Sequence, residues 1–155
     1  MNTRSLKKHL KYIVPQIRLA LIKESGNKAV AISTPGDIEK LIEPMKHYSE
    51  EHFVSFHLNS RNEVSGFHIV SHGTVSASLV HPREVFKSAI LTNSHSIIVA
   101  HNHPGGSLTP SSEDLETTEK LIESGKILGV PLVDHIIVSH RGYVSLRETR
   151  GYFWI

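Results

Sequence analysis

Apolar and polar positions alternate from Phe53 to Leu58, with Val54, Phe56 and Leu58 set against Ser55 and His57, and this period of two predicts a half-buried strand. Ser60-Arg61-Asn62 reads as a turn, Glu63 to His72 as a second strand and Val75 to Val80 as a short third one. The period then changes. From Pro82 onward, Val85, Phe86, Ala89 and Ile90 recur at three- and four-residue spacing, the stripe of a helix packed on a sheet and ending near Asn93. Ile97 to Ala100 is an unbroken apolar run too short to propagate a helix, so it predicts a buried central strand. After a Gly- and Pro-rich loop, Ser111 caps a helix running to about Leu128, with Leu115, Leu121, Ile122 and Leu128 inward and Gly129 closing it. Leu132 to Ser139 predicts another strand, Arg141-Gly142 a hairpin turn and Tyr143 to Leu146 a last strand.

This order of elements predicts an α/β chain of the α+β type, a mixed β-sheet flanked by helices. Residues 1–48 read as an amino-terminal extension. Within it, Val14 to Lys23 suits a strand, and Thr34-Pro35 starts a short helix with Asp37 in its first turn. Residues 49–147 form the main domain and residues 148–155 an aromatic tail. Tyr152-Phe153-Trp154 in that tail needs an apolar neighbour, whether on its own domain, in a homodimer or on another protein.

Composition narrows the chemistry. With 155 residues, 39% apolar and 21% charged, the chain is ordinary globular material with enough length for a core. It has no cysteine, which excludes disulfide scaffolds, thiolate zinc clusters, iron–sulfur centres and cysteine nucleophiles, and fits a reducing cytoplasm. Any metal must be held by His, Asp or Glu. No apolar run approaches the roughly 20 residues of a membrane span. Gln16 and Arg18 interrupt the apolar stretch behind the basic amino terminus, so no secretory leader is expected and the protein reads as cytoplasmic with no membrane partner. Seventeen basic against fifteen acidic side chains give +2, too even a balance for a strong electrostatic grip on DNA. Twelve histidines stand out, because neutral imidazole is the commonest metal ligand.

Two of them carry the main signal, in His101-Asn102-His103-Pro104, followed by Gly105-Gly106 and then Ser111-Ser112-Glu113-Asp114. Residues two apart in extended backbone project to one side, so His101 and His103 can aim at a single point. Pro104 forbids helix at His103 and the glycines permit a tight return, which lets the next helix bring its first turn beside both rings. Asp114 is a candidate third ligand there. Taken singly, His-x-His at a strand end is commonplace and Ser-x-x-Asp is often only a helix cap. Joined by one short loop they point to a metal site with an open coordination position, of the kind zinc uses in catalysis and non-haem iron(II) also accepts. Gly105-Gly106 lacks the lysine of a phosphate loop.

His-x-His-Pro, six residues, then Ser-x-x-Asp resembles the JAMM motif of the JAB/MPN metallopeptidase superfamily. The RadC branch is the best match. Gly73-Thr74, Leu79-Val80-His81-Pro82-Arg83-Glu84-Val85-Phe86 and Gly129 to Ile136 with Asp134-His135 extend the similarity over roughly residues 50–147. The resemblance implies a three-layer, cytidine-deaminase-like JAB/MPN domain in which His101, His103 and Asp114 bind zinc. It implies that Ser111 donates a hydrogen bond to the carbonyl oxygen under attack, and that a glutamate just before the first core strand moves the proton. Glu51 takes that place ahead of Glu50, Glu63 and Glu84. The implied substrate is a peptide or isopeptide bond in a peptide or protein. A second implication is DNA association in repair or recombination, or a nuclease using the same zinc, although no paired-helix DNA module is evident in the first fifty residues. A third is a non-catalytic interaction scaffold, against which the full ligand set argues.

Asp134 and His135, as strand neighbours, face opposite sides, so only one can support the site; otherwise they are buried structural residues. His81 marks a helix boundary, and His52, His57, His68, His72, His95 and His140 read as surface or strand-face residues.

Overall fold

A computed structural model describes residues 20–22, 26, 28–73 and 80–155. The strands expected over residues 14–23 and 75–80 lie for the most part outside the described residues. In chain order the elements are α1 (Pro35–Leu41), β1 (Glu51–Leu58), β2 (Val64–Gly73), α2 (Pro82–Leu91), β3 (Ser96–Asn102), α3 (Ser112–Leu128), β4 (Leu132–Ser139), β5 (Gly142–Ser145) and α4 (Leu146–Thr149). Two 3-10 helices, Glu43–His47 and Gly151–Trp154, complete the elements among the described residues.

The strands form one mixed sheet in the order β2-β1-β3-β4-β5. Only β3 and β4 run parallel, because α3 is the crossover between them; β1–β2, β1–β3 and β4–β5 are antiparallel. Helices cover both faces. On one, Val54, Phe56, Ile98, Ala100, Ile136 and Val138 pack against Ile38 of α1, Ile42 and Met45. On the other, Phe53, Ile97 and Val99 meet Val85, Phe86 and Ala89 of α2 and Leu121 and Ile122 of α3. This is the expected α+β arrangement of a mixed sheet flanked by helices, consistent with a JAB/MPN domain.

Several details depart from the periodic reading. Helix α1, expected in an extension, seals the sheet, since Thr34 and Ser33 donate backbone N–H groups to Asp37 and fix its start. Ile90 and Leu128 are exposed at the rims of their helices. The inward stripe of α3 is instead Asp114, Thr117, Thr118, Leu121, Ile122 and Gly125. Gly125 has no room for a side chain: a Cβ there would stand 2.7 Å from the Val130 carbonyl. Leu146 does not extend β5, because Ser145 accepts from the Glu148 N–H and caps α4. In the tail, Phe153 and Trp154 pack on the α2–α3 core and the Trp154 indole donates to the Leu132 carbonyl at 2.8 Å. Tyr152 and Ile155 stay exposed. No described helix is long and apolar enough to cross a membrane.

Candidate metal centre

Strand β3 continues past its apolar run through His101 and Asn102, so His101 leaves the core still in extended backbone. Its ring is buried and stacks nearly parallel on Phe53 of β1, its register partner. The chain then turns: the Gly106 N–H donates to the His103 carbonyl at 3.0 Å across Pro104-Gly105. Gly106 has φ +84, a region that favours glycine, and a Cβ there would collide with the His140 ring. The His103 N–H meanwhile donates to the Val138 carbonyl, which ties the turn to the end of β4.

Helix α3 supplies the third donor. Ser111 N–H donates to Asp114 Oδ2 at 2.7 Å and Asp114 N–H donates to Ser111 Oγ at 3.1 Å, a reciprocal cap. The same carboxylate faces both rings, with Oδ1 3.1 Å from His101 Nε2 and Oδ2 3.3 Å from His103 Nε2. The two ring nitrogens are 3.0 Å apart. Helix cap and candidate ligand are therefore one side chain, and the two readings of Ser-x-x-Asp hold together.

His101, His103 and Asp114 are the group of donors among the described residues placed to hold a metal ion, with their donor atoms all within 4.8 Å of one another. The donor set fits a cation. His103 Nδ1 must be protonated, since it faces the Ser107 carbonyl at 3.0 Å, and this leaves Nε2 as a bare lone pair aimed at His101 and a carboxylate. Burial would push the Asp114 carboxyl up, but the Ser111 N–H that donates to Oδ2 helps hold it below the usual carboxylate range.

The donors line a cavity of about 210 Å³ whose walls include Glu51, His52, Ser111 and Glu113. Both other predicted site residues therefore open onto the same space as the donor triad. Because Ser111 Oγ accepts from Asp114, its own hydroxyl proton is left for another acceptor. The rival glutamates lie elsewhere. Glu63 is engaged by Asn59 and Arg61 at the far end of β1, Glu84 pairs with Lys87 on α2, and Glu50 borders a separate surface hollow with Tyr48 and Ile69.

Two supports lie beside the site, and the sequence offered no sign of the first. The Asn102 side chain accepts from the His52 N–H at 2.7 Å and donates to the Glu50 carbonyl at 3.0 Å, clamping the backbone on either side of Glu51. His135 is fully buried against His101, while its neighbour Asp134 turns to the other face and accepts from Ser145 and the Arg147 N–H. Burial holds the His135 ring well below the ordinary histidine range and pushes Asp134 up. The opposite orientation of the pair follows from the strand alternation. Which of the two would serve the site did not.

Residues 32–152 match the RadC-like JAB domain family. The chain is 47% identical over 128 residues to a UPF0758 protein of Staphylococcus haemolyticus, covering 82% of this chain and 56% of that one. It is 47% identical to a UPF0758 protein of Methanosarcina mazei and 48% to one of Clostridium novyi, in each case over 118 residues, 76% of this chain and 52% of the relative. The chain thus spans about half the length of the curated relatives it matches.

Proposed function

The chain belongs to the RadC-like JAB domain family, and on that premise we propose that it is a zinc-dependent hydrolase of a peptide or isopeptide bond. The observation that carries this reading is the convergence of His101 Nε2, His103 Nε2 and the Asp114 carboxylate in a cavity that Glu51 and Ser111 also line. Ligand atoms about 2.0–2.1 Å from a tetrahedral zinc stand about 3.3 Å from one another. The two ring nitrogens stand 3.0 Å apart, close to that, and one Asp114 carboxylate oxygen lies within 4.8 Å of both. Three protein donors leave a fourth position for water, the pattern of catalytic rather than structural zinc.

When bound, zinc supplies Lewis-acid charge that polarises a carbonyl and lowers the pKa of water towards about 7. The remaining work falls to the chain itself. His101, His103 and Asp114 would hold the ion. The Glu51 carboxylate takes the proton from the attacking water and returns it to the departing amine. Ser111 Oγ–H, free of any acceptor in its own cap, donates to the carbonyl oxygen as negative charge builds on it.

Elemental analysis and cleavage of peptide and isopeptide libraries test this together. The purified protein is expected to carry or acquire zinc and to hydrolyse an amide. His103→Ala should lose both zinc and hydrolysis. Glu51→Gln should keep zinc and lose turnover by about 10²-fold or more. A protein that neither carries zinc nor takes it up removes the reading. DNA cleavage by the zinc-loaded protein, with amides untouched, would transfer the site to the nuclease alternative, and full hydrolysis by Glu51→Gln would unseat Glu51 alone.

A further inference from the structure

Behind the donor triad a chain of hydrogen bonds runs from one metal-facing side chain to the backbone of another. Thr118 Oγ1 is 2.7 Å from the Asp114 carbonyl, His135 Nδ1 is 2.7 Å from Thr118 Oγ1, and His101 Nδ1 is 2.8 Å from His135 Nε2. A carbonyl can only accept, so Thr118 donates its single proton there. Thr118 Oγ1 is then the acceptor for His135, which must carry its proton on Nδ1. A neutral imidazole protonated on Nδ1 has a bare Nε2, and that nitrogen accepts from His101 Nδ1–H. What remains is the His101 Nε2 lone pair, directed at His103 and Asp114. One backbone carbonyl thereby fixes every proton as far as the candidate ligand.

The surroundings favour this order. Thr118 and His135 are fully buried, so water does not compete for either. Val99 is the register partner of His135 in the parallel β3–β4 pair and lies two residues before His101, which puts both rings on one face of the sheet. Thr118 stands one helical turn after Asp114 on the inward stripe of α3. Phe53 lies flat on the His101 ring and meets the His135 ring edge-on, with centroids 5.9 and 5.5 Å away. Flipping either ring would exchange nitrogen for carbon at its partners and forfeit the bonds.

We propose that His135, oriented by Thr118, is a positioning residue that holds His101 in the one tautomer and ring orientation able to present Nε2 to a metal ion. The inference deepens the metal-site reading above and rests on it. An unassisted neutral imidazole can carry its proton on either nitrogen, and protonation at Nε2 blocks ligation. Losing the Thr118 hydroxyl frees His135 to shift its proton to Nε2 and donate to His101. His101 is then driven into the wrong tautomer although no ligand has been touched.

Zinc affinity from chelator competition, read beside ring-nitrogen NMR of the metal-free protein, tests this. Both His101 and His135 should be protonated on Nδ1. Thr118→Val, nearly the same size without the hydroxyl, should weaken zinc binding about 10- to 100-fold. Thr118→Ser, which keeps the hydroxyl, should restore the affinity and the NMR signature, a rescue that simple packing would not give. His135→Leu should weaken zinc binding in the same way, and if that variant does not fold, Thr118→Val decides. A folded Thr118→Val protein with unchanged zinc affinity overturns the proposal, as does tight zinc binding with His135 protonated on Nε2, which would spare the metal reading. Failure to bind zinc with both rings protonated on Nδ1 would instead sink the metal reading and leave the hydrogen-bond chain standing.

Discussion

The two faces of the sheet are sealed from water alike and differ in what seals them. Beneath α1 the central contacts are aliphatic and aromatic: Val54, Phe56, Ile98, Ala100, Ile136 and Val138 against Ile38, Ile42 and Met45. Beneath α2 and α3 the same three central strands also bury His57, His101 and His135. Each of those imidazoles is matched to a hydroxyl or another ring: His57 to Ser88 at 3.0 Å, His135 to Thr118 and His101 to His135. A buried polar group without a partner costs about 1–3 kcal/mol, so this face tolerates imidazole only where a neighbouring element supplies the matching atom. Dispersion and burial on the first face depend mainly on volume, which permits conservative exchange. Hydrogen bonds on the second depend on direction, which makes it suited to aiming donors and intolerant of substitution.

This contrast can be broken most forcefully from the apolar side. Ile136→Ala should cost about 2–5 kcal/mol in urea unfolding, from lost burial and the cavity left behind, with zinc affinity of the folded protein unchanged. A parallel loss of zinc affinity would show that the faces are not separable. Asn102→Ala should do the opposite, reducing turnover about 10²-fold by releasing the backbone around Glu51 while zinc content holds. Unchanged turnover would discard the clamp.

Smaller effects sharpen the contrast within the polar face. Burial lowers His57 to about 4, with a minor contribution from His68, whereas the unfolded chain takes up the proton at the ordinary value of 6.5. Stability is therefore complete above pH 6.5 and falls as pH drops from there towards 4, by about 2 kcal/mol between pH 7 and pH 5 from this residue. Urea midpoints across that range should show the decline, and His57→Gln should remove this part of it. An equal slope in that variant would place the acid sensitivity elsewhere. Gly106→Ala should cost about 1–2 kcal/mol of left-handed backbone strain and displace the His140 ring that a Cβ would meet, accompanied by weaker zinc binding because the turn carries His103. Zinc titration of the folded variant measures that shift.

Much of the domain was readable in one dimension because its determinants are local. Period-two and period-3.6 patterns located β1, α2 and α3, and the motif brought His101, His103 and Asp114 together because one turn and one helix start join them. Elements with weaker local signals were missed. The 3-10 helix Glu43–His47 has little periodicity, and the cap at Ser145 was hidden behind a run that resembles the end of a strand. Glu51 was singled out by resemblance rather than by spacing. Its opening onto the same cavity as Ser111 depends on β1 lying antiparallel to β3, with Phe53 opposite His101.

What the sequence determined by itself was which residues carry donor chemistry and which segments are extended or helical, since both follow from side-chain type and near-neighbour sterics. The tertiary structure alone decided that α1 closes the apolar face, that Asn102 grips the backbone around Glu51, and that His135 rather than Asp134 stands behind the donors. Through strand register and helix crossover those contacts join Asn102 to Glu50, 52 positions away, and α1 to β4, further away still. Hydrogen bonds act over about 3 Å, so no pattern of neighbours along the chain encodes a partner that only the folded sheet brings within reach.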